Sequence, residues 1–330
     1  MSKALPSEIN VVEMPAAGAA QVLQPGRRPM PRPGPRQLLV EVAAAGVNGP
    51  DLMQRKGLYP APKGASDLLG LEVSGRVAAV GDEVTAWSVG DELCALANGG
   101  GYADYVVVDA DCCLPVPTAV SLIDAAGLPE TYFTIWSNIF MTAKLRAGER
   151  LLVHGGAGGI GTTAIQLGRA FGAEVYATDS PESRCAICAE LGATRVIDYA
   201  TEDFVEILRQ AGGANVILDI VGGPYIARNI KAAAADARII QLAFALGARV
   251  DINLMPIMLK RLVYTGSTLR SRPGSQKCEI ARQLRDKVWP LFASGKLRAV
   301  TRQSLPLAEA ARAHELMESA GHQGKILLLP

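Results

Sequence analysis

The stretch LLVHGGAGGIG, residues 151–161, decides the fold. An apolar strand runs into Gly156-x-Gly158-x-x-Gly161, and a helical pattern follows over 162–171. In such a turn the first glycine permits the tight bend, the second lets the backbone approach a pyrophosphate, and the third allows the helix to pack closely on the strand. The helix N-terminus adds free N–H groups and a positive dipole end. We therefore predict dinucleotide binding, the alternative being a bare glycine-rich turn, with these residues as the phosphate loop: Gly156, Gly158, Gly159, Ile160 and Gly161.

Strands and helices alternate from this point on. Strands are predicted at 151–154, 174–178, 194–197, 215–219, 237–242 and 262–268, with helices between most of them. Such alternation predicts a parallel sheet wound on both faces by helices. A Rossmann domain is accordingly predicted over residues 131–270.

The flanking parts of the chain have a different pattern. The first part is rich in predicted strands, such as Gln37–Ala45 and Glu72–Val80, and the segment Pro25–Arg36 is predicted to be a surface loop. The C-terminal part predicts a helix over 275–293 and strands at 300–304 and 325–329, with a short helix at 307–319 between them. We therefore predict an α/β protein in which the Rossmann domain is inserted into a discontinuous β-rich domain, residues 1–130 and 271–330.

Composition narrows the functional classes. The 330 residues carry a formal net charge of +1, which predicts no nucleic-acid partner. No 18-residue window is uncharged and apolar, so no membrane span is expected, and the N-terminus MSKALPSEIN lacks the apolar core of a signal peptide. The six cysteines are scattered, which favours a reduced, cytoplasmic chain. Cys185 and Cys188 are predicted on one packed helix face, and Cys112 and Cys113 in a strand, pointing to opposite faces, without a functional role.

Several short motifs extend the pattern beyond the glycine-rich loop. They are AGVNGPDLMQRKGLYP (45–60), LGLEVSG (69–75), GGGYADY (99–105), LPET (128–131) and GSTLRSR (266–272). With them, the chain resembles the medium-chain dehydrogenase/reductase superfamily over nearly its whole length. It is particularly similar to the zinc-free, zeta-crystallin-like quinone oxidoreductases and their stress-inducible subgroup, which has LMQR and TLRSR signatures. The resemblance implies a GroES-like fold for the β-rich domain.

The metal ligands of alcohol dehydrogenases in this superfamily are missing from this sequence. The first ligand region offers Asn48 to Asp51 without a thiolate, and the Gly-His-Glu turn has become Gly70-Leu71-Glu72. A catalytic zinc needs three protein ligands and an open position. We therefore predict no metal, and an acceptor that is reduced without a Lewis acid.

The resemblance also implies which residues form the site. It implies that Asn48 and Tyr59 lie in the substrate cleft, where the amide and the hydroxyl can donate hydrogen bonds to the acceptor. The alternatives are a turn-forming asparagine and a half-buried tyrosine. Thr134 matches a cofactor contact, Phe244 matches the loop lining the nicotinamide pocket, and Arg270 matches a cofactor-side basic residue. A helix hydroxyl and a solvated arginine are the alternatives for Thr134 and Arg270.

Two signals about the cofactor conflict. Asp179 ends the second strand 23 residues after Gly156, where a carboxylate would bind the ribose hydroxyls of NAD. Arg184, helped by Ser180 and Tyr199, matches the residues that meet the 2′-phosphate in NADPH-dependent relatives. We predict NADPH, with NADH as the alternative; Asp179 could instead cap a turn.

The expected activity is hydride transfer from NADPH to a quinone or related enone, with the proton supplied by solvent. An alkenal or enoyl reductase of the same fold and a non-catalytic NADPH-binding protein are the alternatives. The resemblance further implies a homodimer joined through the strand at 262–268, which falls last in the predicted sheet and would otherwise be an exposed edge.

Overall fold

The computed structural model describes residues 5–319 and 321–330. Its internal contacts divide the chain into two units: residues up to Phe133 together with those from Arg270 onward, and Thr134–Leu269. Both units combine strands and helices, and the predicted α/β class with a parallel Rossmann sheet and a GroES-like domain is confirmed.

The first unit is built mainly from antiparallel strands. Its N-terminal part contains β1 (Glu8–Glu13), β2 (Gln24–Pro29), β3 (Gln37–Gly46), α1 (Gly49–Arg55), β4 (Glu72–Val80), β5 (Glu92–Leu96), β6 (Tyr105–Asp109), β7 (Cys113–Pro115), α2 (Leu122–Ala125) and the start of α3 (Pro129–Ile135), whose last two residues belong to the second unit. β1 and β2 form a separate antiparallel pair. The apolar side chains between the strands of the larger sheet form the core of this unit.

The second unit is the doubly wound domain. Its elements are β8 (Arg150–His154), α4 (Gly159–Ala170), β9 (Glu174–Asp179), α5 (Glu182–Glu190), β10 (Arg195–Asp198), α6 (Phe204–Gln210), β11 (Ala214–Asp219), α7 (Pro224–Ala232), β12 (Ala233–Gln241), α8 (Met255–Lys260) and β13 (Val263–Gly266). The six strands are parallel in the order β10-β9-β8-β11-β12-β13. The order reverses next to β8, which is where such sheets bind nucleotides.

The chain then returns to the first unit. The returning elements are α9 (Gly274–Lys287), α10 (Trp289–Ala293), β14 (Thr301–Pro306), α11 (Ala310–Glu318) and β15 (Lys325–Leu329). β15 pairs with β3 and so joins both parts of this unit in one seven-stranded sheet. No helix among the described residues is both long enough and apolar enough to span a bilayer.

Four details differ from the sequence-based predictions. The start of the predicted loop Pro25–Arg36 is strand β2, because β1 supplies hydrogen-bonding partners from Glu8 to Glu13. The predicted helix over 275–293 is two helices, α9 and α10, and Pro290 in the first turn of α10 has no N–H with which to continue α9. Cys112 lies in a 3₁₀ turn rather than a strand, and both Cys112 and Cys113 are buried. Cys185 is only partly buried, so the predicted packed face holds for Cys188 alone.

Candidate functional site

The glycine-rich loop connects β8 to α4 in the second unit. The left-handed backbone of the turn falls on Gly155, with φ of 70°, and not on Gly156 as the motif predicts. A Cβ on Gly156 would lie 2.6 Å from the Cys188 sulfur, and one on Gly161 would lie 2.2 Å from the Gly155 carbonyl oxygen. Gly161 therefore permits the close contact between helix and turn that the motif predicts.

The middle of the loop is open. Gly158, Gly159 and Ile160 are partly exposed, whereas Gly156 and Gly161 are buried. A Cβ on Gly158 would have only the Gly155 carbonyl oxygen as a neighbour, at 3.6 Å. The first N–H groups of α4 have no acceptor within the helix, so this face presents donors to a bound anion. The loop thus has the shape and the charge that a pyrophosphate requires.

Asp179 braces this loop from the end of β9. One carboxylate oxygen accepts from the Ala157 amide at 2.7 Å, and the other accepts from the Ser180 amide at 2.9 Å. Arg184, in α5, donates to both oxygens, from Nε at 2.6 Å and from Nη2 at 3.2 Å. Both side chains are nearly buried. These contacts correspond to the turn-capping alternative for Asp179, and the guanidinium compensates its charge.

The other predicted cofactor residues of the second unit have different surroundings. The Tyr199 backbone N–H donates to the Asp179 carbonyl oxygen at 3.3 Å, so Tyr199 lies next to the Asp179–Arg184 pair. Tyr199 is 47% exposed. Phe244 follows β12 and is 46% exposed. Thr134 lies in α3 and is buried, and its carbonyl accepts from Asn138 Nδ2 at 2.9 Å.

Asn48 lies in a buried polar cluster of the first unit. It caps α1 and its amide nitrogen donates to Glu72 Oε1 at 2.9 Å and to the Gly46 carbonyl at 3.3 Å. Lys325, the first residue of β15, lies 2.6 Å from the same Glu72 oxygen and donates to Asn48 Oδ1 at 2.5 Å. All three residues are buried. The Glu72–Lys325 ion pair therefore engages both the nitrogen and the oxygen of the Asn48 side-chain amide.

Two further carboxyl groups belong to this cluster. The Asp51 carboxylate accepts from the backbone N–H of Asn48 at 2.9 Å and from the backbone N–H of Gly70 at 3.0 Å. Burial raises the pKa of the Asp51 carboxyl to about 7. Glu130 begins α3, and burial, with the nearby charge of Glu72, raises the pKa of its carboxyl to about 8. Burial thus disfavours the ionised form of both the Asp51 and the Glu130 carboxyl groups.

A zinc ion does not fit these side chains. Leu71, at the position of the superfamily's zinc-binding imidazole, is buried and apolar. The neighbouring oxygens are already satisfied by the Lys325 ammonium and by backbone amides. Within residues 5–319 and 321–330, no three His, Cys, Asp or Glu side chains are grouped as metal ligands.

Tyr59 is half-buried in the first unit, after α1. The Arg270 guanidinium carbon lies 5.9 Å from the centre of its ring. Burial raises the pKa of the hydroxyl, the charge of Glu130 adds to that effect, and Arg270 opposes it. Among the described residues the Tyr59 hydroxyl has no hydrogen-bond partner, so it remains able to donate to a ligand.

Arg270 is buried rather than solvated, so the alternative of a solvated arginine is wrong. Its Nη1 donates to Gln54 Oε1 at 2.6 Å, and Nε and Nη2 both donate to the Asn98 carbonyl. Lys277 from α9 donates to Asn98 Oδ1 at 2.7 Å and to the Arg270 carbonyl at 2.8 Å. The structure therefore groups Arg270 with Tyr59 in the first unit.

The sequence interpretation missed the side chains that surround Asn48 and Tyr59. Glu72, Glu130 and Lys325 were visible only as charged residues at the ends of apolar segments, Lys325 in the run KILLL. A charge at such a place predicts a buried partner, because an unpaired charge is costly to bury. It does not say which residue that partner is.

Two family models match the chain, the alcohol dehydrogenase GroES-like domain over residues 34–118 and the zinc-binding dehydrogenase over residues 159–285. A solved NAD-dependent alcohol dehydrogenase is 30% identical, with 97% of this chain and 99% of that chain covered and a TM-score of 0.85. The chain belongs to the medium-chain dehydrogenase/reductase superfamily. One of the two models bears the description zinc-binding dehydrogenase, and no group of three His, Cys, Asp or Glu side chains that could hold a metal ion lies among the described residues.

Other relatives differ in what they do. The Escherichia coli quinone oxidoreductase, solved with NADPH, is 29% identical, with 98% of this chain and 99% of that chain covered and a TM-score of 0.85. The CurK enoyl reductase is 28% identical over 98% of this chain and 99% of its own, with a TM-score of 0.83. A mycocerosic acid synthase-like polyketide synthase of Mycobacterium tuberculosis is 31% identical over 300 residues, 90% of this chain. The chain spans 14% of the length of that curated relative.

Proposed function

We propose that this protein is an oxidoreductase that transfers hydride from NADPH to a quinone or a related enone without a metal. The observation that carries the proposal is the buried Asn48–Glu72–Lys325 cluster, where a metal-dependent relative needs zinc ligands. An acceptor reduced beside this cluster would have hydrogen-bond donors such as the Tyr59 hydroxyl, rather than a metal ion, to stabilise its developing charge. Quinones and enones suit such a site because they delocalise the incoming negative charge themselves. The motifs LMQR and TLRSR support the zeta-crystallin-like, stress-inducible subgroup.

NADPH is favoured over NADH by the contacts around Asp179. A free carboxylate at the end of β9 would bind ribose hydroxyls and repel a 2′-phosphate. Here both of its oxygens accept backbone amides, and Arg184 compensates its charge. The pair thus removes the repulsion, and Ser180 and Tyr199 lie next to it. The solved E. coli quinone oxidoreductase with NADPH supports the same choice.

The residues of the chain have separate tasks in this reaction. NADPH, when bound, supplies the hydride. The partly exposed amides of Gly158, Gly159 and Ile160 hold the pyrophosphate, and Thr134, Phe244 and Arg270 stay predicted contacts of the cofactor. Tyr59 donates its hydroxyl hydrogen to the acceptor oxygen on which negative charge develops. Asn48 stays a predicted donor to the acceptor, although its side-chain amide nitrogen donates to Glu72 and to the Gly46 carbonyl in this structure, and solvent supplies the proton.

An enoyl reductase is the second candidate, because the chain is similar to the CurK enoyl reductase and to a polyketide synthase. Its substrate would be an unsaturated acyl chain, reduced by the same hydride chemistry. A protein that binds NADPH without turnover is the third candidate. The deciding experiment measures NADPH oxidation by the purified chain with a panel of small quinones, alkenals and crotonyl thioesters. Quinone turnover supports the proposal, turnover of crotonyl thioesters alone supports the enoyl reductase, and NADPH binding without oxidation supports the third candidate.

The assembly that we propose is a cytoplasmic homodimer joined through β13. This strand is the edge of the parallel sheet, and its Val263 and Tyr264 are 52% and 38% exposed. Met258 and Leu259 on the preceding α8 are 70% and 63% exposed. An apolar edge with unpaired backbone groups favours pairing with another chain. A second copy paired antiparallel through β13 would cover it.

A further inference from the structure

Glu130 differs from the other buried carboxyl groups of the first unit. It lies in the first turn of α3, is 9% exposed, and its backbone amide donates to Glu72 Oε2 at 2.8 Å. Glu72 pairs with Lys325, and Asp51 accepts two backbone amides. The Glu130 carboxyl has neither a cation nor an amide as a hydrogen-bond partner in the described part of the chain.

These contacts decide which carboxyl group holds a proton. An ionised carboxylate is stabilised by ion pairs and by N–H donors, and destabilised by burial and by like charge. Both burial and the like charge of Glu72 disfavour the ionised form of Glu130, and the charge of Asp51 on α1 adds to this effect. Lys325 on β15 and Lys277 on α9 act in the opposite direction, but their ammonium groups are held by other oxygens. Burial and the charge of Glu72 raise the pKa of the Glu130 carboxyl to about 8, which favours the neutral acid at pH 7.

The electrostatic neighbours of Glu130 include Tyr59. The charge of Glu130 acts on the Tyr59 hydroxyl, on the Arg270 guanidinium and on the Lys277 ammonium. Of these three residues only Tyr59 is partly exposed, and its hydroxyl has no hydrogen-bond partner among the described residues. Ionisation of Glu130 would therefore make the Tyr59 hydroxyl less acidic, and so a weaker donor in the proposed reaction.

We propose that Glu130 is a positioning residue that must be a neutral acid for turnover, because its ionised form makes the Tyr59 hydroxyl a weaker hydrogen-bond donor to the acceptor oxygen on which negative charge develops. This inference rests on the proposed function. It assigns Glu130 an electrostatic task carried out through Tyr59 and no proton transfer. Hydride transfer is then fast while Glu130 is protonated and slow once it has ionised.

The test is the pH profile of kcat/KM for NADPH-dependent reduction of a small quinone between pH 6 and 10. The unaltered protein should lose activity above pH 8, by about tenfold for each pKa unit of interaction between the two charges. Glu130→Gln carries a neutral side chain of the same shape and should retain activity at pH 7. Its kcat/KM should not fall above pH 8, so at pH 9.5 it should exceed the kcat/KM of the unaltered protein. Glu279→Gln is the matched control, since Glu279 is exposed, pairs with Arg282 and has a pKa of about 2.

Three kinetic results would overturn the inference. The first is an alkaline limb that persists in Glu130→Gln, and the second is loss of activity by this variant at all pH values, which would make Glu130 a required proton donor. The third uses Tyr59→Phe, which leaves Glu130 in place. Its alkaline limb should disappear together with the hydroxyl, and a limb of unchanged size would contradict the proposed path through Tyr59.

A second measurement separates this inference from the proposed function. A carboxyl whose pKa is raised by folding contributes stability below its unfolded pKa, and that contribution is lost as the pH rises through the folded pKa. The melting temperature of the unaltered protein should therefore fall relative to Glu130→Gln between about pH 5 and 8, and the difference should level off above pH 8. No such difference means that Glu130 is not a buried acid. The expected difference with no turnover of any acceptor means instead that the proposed function fails.

Discussion

Substitutions of two glycines of the phosphate loop, Gly161 at its end and Gly158 in its open middle, should separate effects on folding from effects on cofactor binding. In Gly161→Ala the new Cβ would lie 2.2 Å from the Gly155 carbonyl oxygen and 2.6 Å from the Gly156 Cα. These atoms belong to the backbone of the turn, so they cannot move aside as a side chain would. Overpacking of this kind costs about 1–3 kcal/mol, and we expect the upper end of that range. For 330 residues, with an unfolding entropy of about 2.1 cal/mol/K per residue, this corresponds to a melting temperature lowered by roughly 4 °C.

Gly158→Ala is the matched variant. The nearest atom to its Cβ would be 3.6 Å away, and the backbone angles of Gly158, φ −77° and ψ 173°, suit alanine. Stability should change by no more than about 1 kcal/mol, the size of an altered helix cap. The methyl group would nevertheless occupy the open face of the loop, so the Kd for NADPH should rise by at least about tenfold, that is about 1.4 kcal/mol.

Thermal unfolding and a fluorescence titration with NADPH measure both effects. Gly161→Ala should be unstable, and Gly158→Ala should be stable but impaired in binding. The reasoning about the loop fails if Gly161→Ala melts at the temperature of the unaltered protein. It fails equally if Gly158→Ala binds NADPH with unchanged affinity.

Four further predictions concern the site and the assembly. Arg184→Ala should weaken NADPH binding about ten- to hundredfold, roughly 1.5–3 kcal/mol, because the Asp179 carboxylate is then uncompensated and repels the 2′-phosphate, and NADH binding should weaken less; equal losses for both cofactors in a paired titration would contradict this. Tyr59→Phe should lower kcat at pH 7 by at most about ten- to hundredfold, since one hydrogen bond is lost, and complete inactivity with intact NADPH binding would make the tyrosine an essential acid. The purified protein should contain no zinc and keep its activity after prolonged chelation, whereas stoichiometric zinc that is lost together with activity would refute the metal-free mechanism. Val263→Lys should shift the protein from dimer to monomer in light scattering at micromolar concentration, because a charge on the edge of β13 opposes strand pairing; a monomeric unaltered protein would contradict the proposed assembly.

The repeating local patterns of the sequence were enough for the fold of the second unit. Apolar runs of strand length separated by helical periods predicted five of its strands within a few residues, and the glycine spacing located the turn between β8 and α4. These features depend on neighbours in the chain, so their physical causes can be seen locally. Strand β2 could not be predicted in this way, because its partner β1 supplies the hydrogen bonds that a proline- and arginine-rich segment lacks.

The missing zinc donors and the candidates Asn48, Tyr59, Asp179 and Arg184 were also accessible from the sequence, with the family resemblance. Their contacts depended on the tertiary structure. Asp179 and Arg184 are close in sequence, but only the fold of the β9–α5 turn makes them partners and turns the carboxylate toward Ala157.

Lys325 and Glu72 are far apart in the chain, and they meet because β3 lies between their two strands in one sheet. The same packing leaves Glu130 without a cation or an amide donor for its carboxyl among the described residues. Residue type therefore determined which chemical groups the site could contain. The tertiary structure decided which of them are ionised, since that depends on distances and burial that no local pattern encodes.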